Sequence, residues 1–257
     1  MKQIPNFFTL LNLALGATAI IFILQTNQSI VFIDTEGIIQ VGLPEKITWG
    51  AILLFAAGVV DFLDGFLARL FKASSSMGEQ LDSLSDVVSF GVAPGLILYQ
   101  LLRITYTREQ NGLDVSIMFL LPALIISCAA AWRLAKFNLD KEQSFSFKGL
   151  PTPSAGLFIA SLPLILWFST DKFPFLTEVI YNKWVLYIII VLLSFLMISN
   201  IPLMSMKVKD FSVKNNWPKY LLVIIGIISV LLLQWLAVPV ILVAYVLVSL
   251  LFKNKIA

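Results

Sequence analysis

Long apolar stretches, separated by short polar segments, follow one another through almost the whole chain. Several of them reach the roughly 20 residues that an α-helix needs to cross about 30 Å of hydrocarbon. Where charges and turn residues bound these stretches, they predict membrane-spanning helices. The predicted spans are 4–24, 47–71, 78–102, 116–136, 152–170, 184–205, 219–235 and 238–252.

The two ends of this series carry additional signals. The first stretch is long and contains the polar residues Asn6, Thr9 and Asn12, which favours a spanning helix over a cleaved signal peptide. Residues 236–238 alone separate the last two stretches, and Pro239 follows, which predicts either a tight helical hairpin or one long broken helix. We therefore expect an all-α polytopic membrane protein with about eight transmembrane helices and no separate soluble domain.

Composition supports this interpretation and limits the chemistry. Hydrophobic residues make up 59% of the chain and charged residues 13%, whereas soluble domains have about 45–50% and 25%. The chain has no histidine, which excludes a Ser-His-Asp triad, a histidine–zinc site and a histidine general base. Its single cysteine, Cys128, excludes an internal disulfide, and its apolar surroundings predict a small core residue. A metal would therefore need oxygen ligands, and a base would be a carboxylate, lysine, tyrosine or cysteine.

Basic residues are distributed unevenly between the two sides of the predicted helices. With the N-terminus inside, thirteen of the 18 lysines and arginines fall on the cytoplasmic side. The positive-inside rule therefore predicts that both termini are cytoplasmic. The net charge of +3 reflects this topology. Because no basic cluster is interleaved with aromatic residues, we expect no nucleic-acid partner.

Four aspartates lie inside two consecutive predicted spans, where charge is costly. Asp61 and Asp64 are three residues apart, and Asp82 and Asp86 are four apart, so each pair lies on one face of its helix. The short link 72–77 makes the two helices antiparallel, which places Asp61 opposite Asp86 and Asp64 opposite Asp82. We expect the four carboxylates to converge at the cytoplasmic end of this helix pair.

Such a cluster of like charges needs compensation. Each aspartate costs about 2.5–3.5 kcal/mol at mid-helix, and only Arg69 and Lys72 lie nearby in sequence. Because divalent cations would neutralise the cluster, we predict an oxygen-ligated site for two ions, Mg²⁺, Mn²⁺ or Ca²⁺. The serine-rich link before the second helix, together with Arg69, would suit a phosphate group. Two metals flanking a phosphoryl group are typical of displacement at phosphorus.

The spacing of these residues resembles the complete signature motif of the CDP-alcohol phosphotransferases. The matching residues are Asp61-x2-Asp64-Gly65-x2-Ala68-Arg69-x8-Gly78-x3-Asp82-x3-Asp86. Eight fixed positions at fixed spacings make this motif highly specific.

The resemblance implies a membrane enzyme that transfers a phosphatidyl group from CDP-diacylglycerol to an alcohol and releases CMP. It implies a six-helix core, usually a homodimer, in the cytoplasmic membrane, with its active site facing the cytoplasm. Residues 1–205 would form this catalytic domain, and 206–257 would form a C-terminal transmembrane hairpin without an assigned role. Two metal ions would be held by Asp61, Asp64, Asp82 and Asp86, and Asp86 would also be the general base. By the same resemblance, the CDP-diacylglycerol site would be lined by Gly65, Arg69, Ser75, Asn6, Thr9, Ala68 and Gly78.

Further stretches resemble the phosphatidylserine synthase branch of this family. They are residues 4–12 (IPNFFTLLN), 133–138 (RLAKFN) and 148–153 (KGLPTP). This resemblance implies L-serine as the acceptor, with Arg133, Lys136 and Asn138 as candidate contacts for it. Lys136 departs from the pattern, which has arginine there. Arg133 is equally well interpreted as a positive-inside anchor at a cytoplasmic helix end.

The same residues leave other functions open. Within the family, the acceptor would instead be glycerol 3-phosphate or an inositol phosphate, or the lipid would be archaeal. Intramembrane prenyltransferases also combine Asp-rich helices with Mg²⁺, but they use two widely separated motifs, whereas residues 61–86 lie within one helix pair. A cation transporter would have no need for the spacing of Gly65, Arg69 and Gly78.

Overall fold

A computed structural model of the chain describes residues 4–25, 31–33, 39–71, 75–108, 115–139, 147–204 and 213–252. The helices of the first half are α1 (Ile4–Leu24), α2 (Glu45–Leu70), α3 (Ser76–Asp86), α4 (Ala93–Thr107) and α5 (Ile125–Leu139). Those of the second half are α6 (Thr152–Phe168), α7 (Phe175–Ile180), α8 (Lys183–Ile198), α9 (Val213–Leu233) and α10 (Ala237–Leu251). Two short antiparallel ribbons pair β1 (Val31–Ile33) with β2 (Ile39–Val41), and β3 (Phe147–Lys148) with β4 (Pro202–Leu203).

The described helices are those of a membrane protein. Five helical stretches are long and apolar enough to cross a bilayer: Pro5–Leu24, Glu45–Leu70, Ser76–Thr107, Ile117–Leu139 and Asn216–Leu251. Two shorter apolar helices, α6 and α8, accompany them. The predicted all-helical, multi-pass fold is therefore confirmed.

The third span is one continuous helical stretch with a wider section in its middle. A π-helix, Val87–Val92, joins α3 to α4 directly after Asp86. Pro94 lies in the first turn of α4, has no N–H, and in a regular α-helix its ring would crowd the carbonyl of residue 90. The wider π turn relieves that contact, and such turns are frequent at functional sites.

The last two helices form a hairpin, the first of the two alternatives that the sequence left open. A 3₁₀ turn, Gln234–Leu236, reverses the chain, and Gln234 has a positive φ of 53° there. Near the open end of the hairpin, the rings of Trp217 and Phe252 lie 4.6 Å apart in an edge-to-face arrangement. The hairpin packs mainly on α6, and Trp235 at its tip contacts Phe55 of α2 with ring centroids 5.1 Å apart.

Three details differ from the sequence prediction. The sixth span was predicted to reach residue 205, but α8 ends at Ile198 and residues 199–204 are not helical. Pro202 lacks the N–H that a helix needs and forces extended backbone on the residue before it. The two β-ribbons were not predicted. Cys128 is exposed on α5 and is not the small core residue that its apolar surroundings suggested.

The packing of α1 against the third span fixes the geometry of the aspartate helices. The hydroxyls of Ser85 and Ser89 donate to the carbonyls of Thr9 and Asn12, each at 3.1 Å. A Cβ added to Gly16 of α1 would lie 2.8 Å from the Cα of Ser89, so only glycine allows this approach. The helix that carries Asp82 and Asp86 is thereby held tightly against α1.

Candidate active site

Three of the four aspartates form a compact carboxylate cluster between α2 and α3. Asp61, Asp64 and Asp82 each present a carboxylate oxygen, and these oxygens all lie within 4.8 Å of one another. The Asp61 carboxyl group also lies within hydrogen-bonding distance of that of Asp86. The antiparallel pairing of the two helices therefore brings the four side chains together, with Asp61 facing Asp86 as its depth predicts.

Neutral polar groups from α1 surround this cluster. The Nδ2 atom of Asn12 lies 3.5 Å from an oxygen of Asp86. The Thr9 hydroxyl donates to the Pro5 carbonyl at 3.1 Å and lies beside the Asp64 carboxylate. These α1 groups are buried, so they limit the access of water to the inner side of the cluster.

A cavity of about 120 Å³ opens beside the acids, between α1, the end of α2 and the start of α3. Gly65 contributes open space to it, because a Cβ built on Gly65 meets no atom within 4 Å. Ser75 caps α3 by accepting a hydrogen bond from the Gly78 amide at 3.0 Å. The cavity is lined by Pro5, Asn6, Thr9, Asp64, Gly65, Ala68, Ser75, Gly78, Glu79 and Asp82.

Most residues predicted to contact CDP-diacylglycerol are thus gathered around one cavity. Arg69 is the exception, since it is not among the described residues that line the cavity. It is exposed in the last turn of α2, four residues beyond Gly65. Residues 72–74 of the predicted phosphate-binding link lie outside the described residues, so only its end, from Ser75 onward, is placed.

A second polar region lies near Asp86, at the end of α5. Arg133 is only 7% exposed and lies close enough to Asp86 for electrostatic attraction. Its Nη1 atom donates to the Thr152 hydroxyl at 3.1 Å. Of the two other predicted acceptor contacts, Lys136 donates to Asn200, and Asn138 donates to Ser83 at 2.9 Å. The three predicted side chains therefore contact different elements, and Asn138 joins α5 to α3.

Some buried side-chain atoms at this site have no hydrogen-bond partner. Of seven such atoms in the described part of the chain, three lie here: Asn12 Oδ1, Asp64 Oδ2 and Arg133 Nε. A buried polar group left unpaired costs about 1–3 kcal/mol. An acceptor, a carboxylate and a guanidinium donor left open around one cluster indicate that the site is built to receive a polar, charged ligand.

Sequence reasoning missed several of these residues. Asn12 was noted as polar but was not assigned to the site, although Asn6, Thr9 and Asn12 recur at the three-residue spacing that marks one helix face. Glu79 was missed because it is not one of the fixed positions of the signature motif. Thr152 carried no signal of its own, because its role depends on contact with Arg133, 19 residues away in the chain.

The donor set fits divalent cations. The ligand atoms that Asp61, Asp64 and Asp82 can supply are carboxylate oxygens. Hard cations such as Mg²⁺ and Mn²⁺ prefer oxygen ligands of this kind. Asp64 Oδ2 is buried and unpaired, as a ligand atom would be before an ion binds. Among the described residues, no lysine or arginine forms an ion pair with these four acids, and divalent cations would neutralise them.

Comparison with known proteins identifies the family of this chain. A sequence model of the family described as CDP-alcohol phosphatidyltransferase matches residues 2–195, which include every site residue named above except Asn200. The chain belongs to this family. α9 and α10 lie beyond the matched region.

Similar proteins named CDP-diacylglycerol–serine O-phosphatidyltransferase occur in several organisms. The Helicobacter pylori (strain ATCC 700392 / 26695) protein is 36% identical over 178 residues, which is 67% of this chain and 66% of that protein. The Bacillus subtilis (strain 168) protein is 31% identical over 181 residues, covering 68% and 86% respectively. The Mycobacterium bovis (strain ATCC BAA-935 / AF2122/97) protein is 28% identical over 255 residues, covering 95% and 76%. The match thus spans slightly less than two thirds of the Helicobacter protein.

Proposed function

We propose that this protein transfers the phosphatidyl group of CDP-diacylglycerol to the hydroxyl of L-serine, forming phosphatidylserine and CMP. The observation that carries the proposal is the position of Asp86. It lies beside the other three aspartates and within electrostatic range of the buried Arg133. The names of the similar proteins support serine as the acceptor.

The proposed reaction is a single displacement at phosphorus. Asp86 accepts the proton of the serine hydroxyl as that oxygen forms a bond to the lipid-side phosphorus of CDP-diacylglycerol. The bond from this phosphorus to the bridging oxygen breaks, and CMP leaves with the electron pair. No covalent intermediate with the enzyme is needed, since the acceptor oxygen attacks the phosphorus directly.

The small cavity is proposed to hold the diphosphate of the donor. Gly65 leaves the space for it, and the start of α3 lines the same cavity, where a helix N-terminus favours negative charge. Arg69 would reach the diphosphate from the exposed side of α2. Asn6, Thr9, Ala68, Ser75 and Gly78 would form its walls.

Arg133 is proposed to hold the serine carboxylate. Its guanidinium is buried and keeps Nε without a partner among the described residues, so it can make a charge-assisted hydrogen bond to an incoming carboxylate. Lys136 would add positive charge near the proposed serine carboxylate site. Serine so held presents its hydroxyl towards Asp86.

Two divalent cations, Mg²⁺ or Mn²⁺, are proposed to be held by Asp61, Asp64, Asp82 and Asp86. When bound, they would withdraw charge from the diphosphate and stabilise the leaving CMP. We further propose that the protein is a homodimer of the cytoplasmic membrane, with residues 1–205 as the catalytic domain and both termini, like the active site, on the cytoplasmic side.

Purified full-length protein in lipid nanodiscs, supplied with CDP-diacylglycerol and Mn²⁺ or Mg²⁺, tests the proposal. Serine, glycerol 3-phosphate and inositol phosphate are given separately, and CMP release and the lipid product are measured. We expect serine-dependent CMP release and phosphatidylserine, abolished by EDTA and restored by excess metal. Release with another acceptor alone would reassign the substrate. No release with any acceptor, together with cation uptake in proteoliposomes, would favour a transporter.

A further inference from the structure

The connection after α8, residues 199–204, joins the candidate acceptor site to the C-terminal hairpin. It is extended backbone within a helical membrane protein, and Leu203 and Met204 are each 1% exposed. Irregular backbone at membrane depth is tolerated only where the surrounding protein satisfies its polar groups. The partners of these backbone groups therefore show what the connection is held by.

At one end of the connection, α10 binds both backbone groups of Met204. The Met204 amide donates to the Ser249 hydroxyl at 3.1 Å, and the Tyr245 hydroxyl donates to the Met204 carbonyl at 2.9 Å. Tyr245 and Ser249 are four residues apart and lie on one face of α10. The hairpin thus fixes this residue through two hydrogen bonds of opposite direction.

Along the rest of its length, the same connection touches the acceptor side of the site. Asn200 accepts a hydrogen bond from Lys136. The Ile201 carbonyl accepts from the Gly149 amide at 2.9 Å, and β4 pairs with β3. Three residues after Gly149, Thr152 accepts from Arg133.

The backbone at Gly149 packs tightly against the end of α8 and the start of the connection. Its φ is +78°, which favours glycine, and an added Cβ would lie 2.7 Å from the carbonyl oxygens of Met197 and Ser199. A displacement of the connection would therefore be passed to the start of α6, where Thr152 holds the buried guanidinium. Tyr245 also lies close enough to Arg133 to interact with it electrostatically.

We propose that the C-terminal hairpin positions the acceptor-alcohol site, with Tyr245 and Ser249 as positioning residues that act on Arg133 and Lys136 through residues 199–204. This inference rests on the proposed function for the identity of the acceptor. It gives a role to helices that lie beyond the region matched by the family model.

The test compares two hairpin variants, Tyr245→Phe and Ser249→Ala, in the full-length protein. Each removes one hydrogen bond to Met204 and leaves the carboxylate cluster untouched. We expect the KM for serine to rise about three- to tenfold, as the loss of one hydrogen bond would give. The KM for CDP-diacylglycerol should stay within about twofold, because neither α10 nor residues 199–204 line the donor cavity.

Matched controls separate this effect from a general loss of stability. Tyr187→Phe also removes a tyrosine hydroxyl that donates to a backbone carbonyl, that of Phe119 at 2.7 Å, but far from the acceptor site. Ser229→Ala removes a buried serine hydroxyl from the other arm of the hairpin. Both controls should keep the wild-type KM for serine.

Hydrogen exchange supplies a second readout that does not depend on the acceptor. In Tyr245→Phe and Ser249→Ala, amides in 149–152 and 201–204 should exchange faster than in the controls. Unchanged exchange and an unchanged acceptor KM would overturn the inference, and so would an equal rise in KM for both substrates. If the wild-type protein uses another alcohol, the proposed function fails for serine, and the same comparison is made with that alcohol.

Discussion

Two arginines at opposite ends of the helix bundle show how differently those ends treat charge. Arg108 follows α4, and its Nη2 atom lies 3.3 Å from the Glu178 carboxylate while its guanidinium stacks 4.6 Å from the Tyr181 ring centroid. Burial raises the pKa of Tyr181 to about 12, so the ring remains a neutral platform at pH 7. Arg133 lies at the Asp86 end, is buried, and keeps its Nε unpaired among the described residues.

The difference separates structural from functional use of charge. At the Arg108 end, a cation, an acid and an aromatic ring pair with one another near the surface. At the Arg133 end, four acids and a buried guanidinium lie close together, and two of their atoms, Asp64 Oδ2 and Arg133 Nε, have no hydrogen-bond partner among the described residues. Since unpaired buried polar groups are costly, we infer that ligands complete them.

Replacing Asp86 is the most direct test of the difference between the two ends. We expect Asp86→Asn to lower kcat about 10²- to 10⁴-fold, because the amide cannot accept the acceptor's proton. Single-turnover CMP release from CDP-diacylglycerol and serine measures the loss. Glu178→Gln, which changes an acid to an amide at the other end, serves as control and should keep wild-type activity. Full activity in Asp86→Asn would remove the base role without affecting membership of the family.

Arg133 gives the next largest effect. Arg133→Lys keeps the positive charge but loses the planar fork of donors, so we expect the KM for serine to rise about 10- to 100-fold. The KM for CDP-diacylglycerol should change much less. If Arg133 were only a topological anchor, the lysine variant would serve equally well, and both KM values would match those of the wild-type protein.

Which parts of this site could be predicted from the sequence depends on whether the contacts are local or long-range. Spacing along a helix places Asp61 and Asp64 on one face, and a short link makes Asp86 face Asp61, so the cluster was predictable from local geometry. The contact between Thr152 and Arg133 depends on how α5 and α6 pack, which no periodicity encodes. The end of α8 was misplaced for a different reason. The predicted span was carried on to residue 205, although Pro202 lacks the N–H of a helical residue and forces extended backbone on the residue before it.

Gly65 and Gly16 test whether the open space beside the acids is used. An alanine methyl at Gly65 enters empty space, so Gly65→Ala should keep its thermal stability while the KM for CDP-diacylglycerol rises about fivefold to tenfold, equivalent to about 1 kcal/mol. At Gly16, the same methyl would collide with the Ser89 backbone and destabilise the fold by about 1–3 kcal/mol. Gly65→Ala should therefore raise the KM without lowering the unfolding temperature, whereas Gly16→Ala should lower the unfolding temperature. A wild-type KM in Gly65→Ala would place the diphosphate elsewhere.

The smallest effect is expected where charges already satisfy one another. Arg108→Ala removes an ion pair whose partner Glu178 is 79% exposed, and such surface pairs contribute about 0–1 kcal/mol. We therefore expect a slightly lower unfolding temperature, partly masked by salt, and KM values for both substrates within about twofold of the wild-type values. The result matters because Arg108 and Arg133 are the same residue type near the ends of membrane helices. If Arg108→Ala impaired serine binding as strongly as Arg133→Lys, the two ends would not differ in function, and the effect of Arg133 would have to be assigned to helix orientation instead of acceptor binding.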